Sequence, residues 1–234
     1  MTRLRRYCPA GLPVHVIQRG NNRSDCFHSD EDRANYINYL QAAAATSYVD
    51  VHAWVLMSNH THLLVTPHFA DSVSTMMQRL GHQYVRFFNR KYARTGTLLE
   101  GRFRSCLVQT EDYFLVCQRY IELNPVRAGL VEHPVEFHWS SYKRNARGIE
   151  SSLVKPHDIY LSLGSDEDRR LRAYRALFDE VIDKNQIAEL RNATNRGLVF
   201  GSSDFKDQIA RQSGQRTRVN KRGRKPLEAR QILL

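Results

Sequence analysis

The sequence has no apolar run approaching the ~18 residues that would span a bilayer, so no transmembrane helix is expected. No signal-type apolar stretch follows the basic start, Met1 to Arg6, and the expected location is the cytoplasm, with no membrane partner. Cysteine is scarce. The four residues (Cys8, Cys26, Cys106, Cys117) form no C-x-x-C pair, which argues against a disulfide framework and a cysteine zinc site and leaves free thiols. No internal repeat is present, which excludes a solenoid. Acidic residues are also short, 24 Asp and Glu against 35 Lys and Arg, for a formal net charge of +11. A chain this basic should work on a polyanion. Nucleic acid is the first candidate and an anionic membrane surface the rival.

What is present suffices for one sizeable domain with appendages: 234 residues, 41% of them hydrophobic. PVHVIQRG, Pro13 to Gly20, alternates and reads as a strand. Ser29-Asp30-Glu31 can cap a helix running to about Ser47. VHAWVLM (from Val51) and HTHLLVT (from His60) read as a hairpin across Ser58-Asn59, with Pro67 stopping the second strand. Asp71-Ser72 opens a helix carrying Val73, Met76, Met77 and Leu80 at helical spacing. SCLVQ, Ser105 to Gln109, is a fourth strand. Thr110-Glu111-Asp112 caps a last helix, which Pro125 ends near Asn124 because the residue before a proline disfavours the α region. The order strand, helix, strand, strand, helix, strand, helix predicts an α+β, ferredoxin-like antiparallel sheet covered by helices.

The character changes after about Ser141. Residues 147–212 are expected as a helical C-terminal extension, with helical spacing over Asp166 to Asp183 and shorter helical stretches at Gln186 to Arg191 and Ser203 to Gln212. Arg211 to Lys225 contains seven basic and no acidic residues and only Val219 as a large apolar one. Residues 213–234 are therefore expected to form a disordered basic tail.

Three groups of residues could carry chemistry. His60 and His62, two apart in a strand, point to one face and could ligate one divalent metal, or be two ordinary surface histidines. Tyr120 and Asn124 share a helical face. A tyrosine hydroxyl can attack a phosphodiester and an amide oxygen one turn on can complete a metal site, although a core tyrosine and a capping asparagine give the same pattern. The third group is basic and aromatic. It includes Arg19 and Arg23 at the end of the first strand, Arg86 among the aromatics of Arg79 to Tyr92, and Arg102 and Arg104 before the fourth strand. Cations contact phosphates and rings stack on unpaired bases. Lys221, Arg222, Arg224 and Lys225 surround Gly223 in a segment similar to a minor-groove AT-hook, or to a nonspecific electrostatic tail.

PVHVIQRGNNR, HAWVLMSNHTHLLVTP, GTLLEGRFRSCLVQTEDY, RYIELNPVRAGLV and WSSYKRNA follow one another between Pro13 and Ala146. In that order they resemble the REP-associated tyrosine transposases of the wider HUH single-strand transposase group. RNATNRGLVFGSSDFKDQI, Arg191 to Ile209, resembles members with a C-terminal extension. The resemblance implies an HUH catalytic domain over residues 1–146, with His60 and His62 as the His-hydrophobic-His metal pair, Asn124 as third ligand and Tyr120 as nucleophile. Thr61 departs from the hydrophobic middle position. It also implies a metal-dependent endonuclease or transposase using Mg²⁺ or Mn²⁺, acting as monomer or homodimer on single-stranded DNA that bears a palindromic hairpin. A catalytically silent hairpin-binding protein on the same scaffold is the alternative, and an RNA-binding module a third.

Overall fold

A computed structural model of the protein describes residues 6–219. The first elements are β1 (Val14–Arg19), α1 (Asp30–Thr46), β2 (Val49–Leu56), β3 (His60–Pro67), α2 (Ser72–Lys91), β4 (Arg104–Val108) and α3 (Asp112–Glu122). Ser29 caps α1 as expected. Its hydroxyl accepts from the Asp32 N–H, the Asp32 carboxylate accepts from the Ser29 N–H, and three acids occupy the first turn. The β2–β3 hairpin closes over Ser58-Asn59 with the Met57 N–H bonded to the His60 carbonyl at 2.9 Å.

Two expectations about α3 need correction. Its start has no side-chain cap, and Glu111 instead enters the helix at φ 68°. Nor does Pro125 end a continuous helix at Asn124. The helix stops at Glu122, and α4 (Asn124–Arg127) starts anew with Pro125 in its first turn, where the missing N–H has no bond to lose.

The sheet runs β2-β3-β1-β4-β5. Its first four strands pair antiparallel in the ferredoxin-like order. The fifth, β5 (Val199–Phe200), pairs parallel to β4 with Leu107 opposite Val199, so the sheet is mixed and not wholly antiparallel. With two residues, β5 has no alternation to read in the sequence.

Each face of the sheet has its own core. Val14, Val16, Leu63 and Val65 face α1 and α2, packing with Tyr36, Leu40, Leu80, Tyr84 and Phe88. Ala53, Val55, Leu64, Cys106 and Val108 face α3 and α8 (Lys184–Arg196), packing with Phe114, Cys117, Ile121 and Leu190. A side chain of this size contributes about 1.5–3 kcal/mol when fully buried. All four cysteines are buried free thiols, and burial pushes Cys106 up to about 12.

The remaining elements are α5 (Tyr142–Arg147), α6 (Asp158–Leu161), α7 (Glu167–Ala176) and α9 (Ser203–Ser213). The helix expected over Asp166 to Asp183 is only α7, capped by the Asp166 side chain on the Arg169 N–H. The extension is tied to α3 through that helix's last residue, Glu122, which is fully buried. The Glu122 carboxylate accepts from the Ser141 hydroxyl (2.6 Å), the Asn145 amide (2.8 Å) and the Tyr174 hydroxyl (2.7 Å). Among the described residues no cation pairs with it, and burial raises its pKa to about 7. The stretch expected to begin a disordered tail is instead docked through 219. Thr217 is buried and its carbonyl accepts from the Val199 N–H. Arg218 pairs with Asp207 on α9. Lys221, Arg222, Arg224 and Lys225 lie outside the described residues. No helix among the described residues is long and apolar enough to cross a membrane.

Candidate active site

In the β1–β3 ladder Arg19 stands opposite His60, Ile17 opposite His62 and His15 opposite Leu64. Residues directly opposite share a face, so His15, Arg19, His60 and His62 all project to the α3 side. The His60 and His62 rings are 5.0 Å apart, edge to face. His15 stacks on His62 at 5.1 Å, nearly parallel, with its Nε2 2.8 Å from His62 Nδ1. On the far side, His15 Nδ1 lies 2.9 Å from the Thr194 hydroxyl of α8. His60 Nδ1 is bonded at 2.6 Å to the Asn59 side-chain oxygen, so it is the donor. Asn59 Nδ2 donates to the Arg23 carbonyl.

Tyr120 crosses above this row. Its ring lies 5.8 Å from His62 and 5.9 Å from His15, and the residue is 4% exposed. Arg191 Nε, from α8, is 3.4 Å from the Tyr120 hydroxyl. The Arg127 guanidinium covers the ring at 3.9 Å. Asn124 sits one turn after Tyr120, as the spacing predicted. Its Nδ2 donates to the Tyr120 and Ile121 carbonyls, and its Oδ1 accepts from Arg127 Nη2 at 2.9 Å.

The electrostatics follow from burial. Burial, with Arg127, lowers His15 to about 3, and burial, with Arg19 and Arg127, lowers His60 to about 4. Burial and the neighbouring histidines hold His62 well below the ordinary value. All three imidazoles are therefore neutral near pH 7. Arg127 is itself lowered to about 10, chiefly by burial, and its Nε is buried without a partner. Among the described residues Arg19, Arg127 and Arg191 have no carboxylate partner. A cluster of uncompensated guanidinium groups suits an anion.

The two imidazoles fit a divalent cation, because neutral ring nitrogens are its ordinary ligands. Asn124 fits in part, since Arg127 occupies one lone pair of its oxygen and one remains. Among the described residues no group of three or more His, Cys, Asp or Glu side chains could hold a metal ion.

The other sequence candidates lie at different places. Arg19 borders the site. Arg104 donates to the Asn195 side chain of α8 at 2.8 Å and pairs with Glu100 at 3.6 Å. Arg102 lines a small cleft with Arg19 and Arg104. It also lines a groove of about 800 Å³ shared with Arg86 and His82, between α2 and residues 96–103. Arg86 is thus on the opposite side of the sheet from Tyr120. Sequence reasoning missed His15, Arg127, Arg191 and Thr194. The alternation of β1 places His15 on the face of Arg19, and Arg127 stands one turn after Asn124. Nothing in the local pattern marked Arg191 or Thr194.

Residues 9–124 match the family described as "Transposase IS200 like". Through this segment the chain belongs to the IS200-like transposase family. The matched segment holds His15, His60, His62, Tyr120 and Asn124 and ends on the last of these, while Arg127, Arg191 and Thr194 lie beyond it. A REP-associated tyrosine transposase bound to a REP hairpin has the same fold, with a TM-score of 0.54 and 21% identity over 67% of this chain and 93% of that one. A provisionally assigned transposase from Deinococcus radiodurans R1 matches at 22% identity over 52% of this chain and 96% of that one, with a TM-score of 0.36. No curated protein matches.

Proposed function

We propose that this IS200-like family member cleaves and rejoins DNA strands through a phosphotyrosine on Tyr120. The observation that carries the reading is the convergence of Tyr120, His60 and His62 beneath guanidinium groups that lack carboxylate partners. Arg127, over the Tyr120 ring, and Arg191, beside its hydroxyl, would hold a backbone phosphate there. The Tyr120 oxygen attacks phosphorus, the bond to the 3′ oxygen breaks, and that oxygen leaves as a 3′-hydroxyl, taking up a proton. The 5′ phosphate stays on Tyr120 until a 3′-hydroxyl attacks it and restores a joined strand, so no nucleotide energy source is needed. His60, His62 and Asn124 would hold the divalent cation, Mg²⁺ or Mn²⁺, which supplies Lewis-acid polarisation of a nonbridging phosphate oxygen. Arg19, Arg23, Arg102 and Arg104 would grip the strand near the site, Arg86 would grip it farther off, and Lys221, Arg222, Arg224 and Lys225 would add phosphate contacts. Single-stranded DNA beside a palindromic hairpin is the proposed substrate, on the resemblance and on the hairpin bound to the structural neighbour.

The second reading, a silent hairpin-binding protein, is favoured by the burial of Tyr120 and by the Arg127 bond to Asn124 Oδ1. The two separate in one assay. A labelled hairpin oligonucleotide is incubated with protein and Mn²⁺ and run on a denaturing gel. A covalent adduct that Tyr120→Phe abolishes supports the enzyme, and tight binding with no adduct supports the silent protein.

A further inference from the structure

The histidine row continues past the site into α8, and the direction of its hydrogen bonds can be worked out. The Thr194 hydroxyl lies 2.8 Å from the Leu190 carbonyl, 2.9 Å from His15 Nδ1 and 3.1 Å from Cys106 Sγ. A hydroxyl has one proton. A carbonyl oxygen can only accept, and two oxygens at 2.8 Å repel unless a proton lies between them. The Thr194 proton therefore goes to Leu190, and His15 Nδ1 must donate to Thr194. A neutral imidazole carries one N–H, so His15 Nε2 is an acceptor. The contact of 2.8 Å to His62 Nδ1 then requires that His62 donate. His62 has its proton on Nδ1, and its Nε2 keeps a bare lone pair.

We infer that Thr194 is a positioning residue for the cation site: through His15 it holds His62 in the Nδ1–H form, with Nε2 free to ligate. The inference rests on the metal reading above and extends it to α8, beyond the segment that defines the family. The relay is sealed: Thr194 and His15 are 0% exposed and His62 3%. Water cannot substitute for the Thr194 oxygen. Removing that oxygen leaves His15 Nδ1 without an acceptor. His15 then does better with its proton on Nε2, donating to His62 Nδ1. This moves the His62 proton to Nε2 and blocks the ligating lone pair. Outer partners of ligating histidines set the tautomer and typically change metal affinity 10- to 100-fold when removed.

Two measurements on the full chain test this. Two-bond ¹H–¹⁵N spectra of the histidine rings, without metal or DNA, should show the Nδ1–H form at His15 and His62. Thr194→Val, nearly isosteric, should convert His62 to the Nε2–H form, and Thr194→Ser should retain the wild-type pattern. Titration calorimetry with Mn²⁺ alone should show affinity weakened about tenfold or more in Thr194→Val and restored in Thr194→Ser. An Nε2–H His62 in the wild type overturns the relay, as does Thr194→Val with unchanged spectra and affinity. Should Thr194→Val not fold, the wild-type spectrum and the Ser variant still decide. A wild type with the Nδ1–H pattern that binds no Mn²⁺ removes the metal reading and with it the role of Thr194 in ligation.

Discussion

Arg127 lies 3.9 Å above the ring of Tyr120 and at the same time donates at 2.7 Å to the Tyr120 backbone carbonyl. One side chain thereby fixes the ring of Tyr120, the proposed nucleophile, the end of α3 and, through Asn124, the third candidate ligand. Arg127→Lys keeps a charge but loses the planar fork and the stacking. Strand cleavage should fall at least tenfold, with DNA affinity changed much less. Arg127→Ala also leaves the Asn124 oxygen unpaired and should destabilise the fold by about 1–3 kcal/mol in denaturant melts. Equal losses of binding and cleavage in Arg127→Lys would count against a positioning role.

Tyr120→Phe removes one hydroxyl from a buried ring whose packing is unchanged. Adduct formation should vanish while DNA binding stays within about twofold of wild type, a difference worth less than ~0.5 kcal/mol. If the adduct persists, the reading is wrong. Tyr113, two turns earlier on α3 but packed on Phe200, becomes the next suspect.

Chelation, His60→Ala and His62→Ala should each stop cleavage. Asn124→Ala should only weaken it, with partial rescue at high Mn²⁺, because an amide is a poorer ligand than imidazole. Full activity in a chelator would refute the metal assignment.

Glu122 supplies a stability dependence on pH. Its folded pKa, about 7, is raised above the ordinary 4.5. The folded state therefore binds the proton more tightly. That contribution is fully present below pH 4.5 and is lost as pH rises through 7. Glu122→Gln cannot titrate. The melting-temperature difference between wild type and Glu122→Gln should shift in favour of wild type on going from pH 8 to pH 5. A difference that is flat over that interval would show that Glu122 is already ionised when buried.

A chain ending at Val219 keeps the docked Thr217 and loses Lys221, Arg222, Arg224 and Lys225. Its salt slope of log affinity should flatten by about 0.7 per lost contact on single strands, or about 0.9 on duplex. Saturating DNA should restore cleavage. A slope that does not change would mean these residues do not touch DNA.

Much of this is legible in the sequence. Alternation in PVHVIQRG and HTHLLVT set the strands, and the order of elements set the sheet. The periods of strand and helix put His60 with His62 and Tyr120 with Asn124 on common faces, and the resemblance to a known family supplied their roles. The sequence could not show how those pairs meet, because the register that sets Arg19 against His60 depends on tertiary packing. Pro125 was misjudged because a proline that forbids continuing one helix is welcome in the first turn of the next. Arg191 and Thr194 were invisible for a different reason. Their significance depends on where α8 lands, and a helix pattern tells only that one face is apolar.

The bond between His15 and Thr194 joins residues 179 positions apart. It cannot form on the ribosome until α8 has emerged, long after Tyr120 and both histidines of the pair. A growing or prematurely released chain would carry Tyr120, the proposed nucleophile, without the hydroxyl that orders the row beneath it. On the proposed strand-cleaving reading, the histidine row is ordered only once α8 has been made.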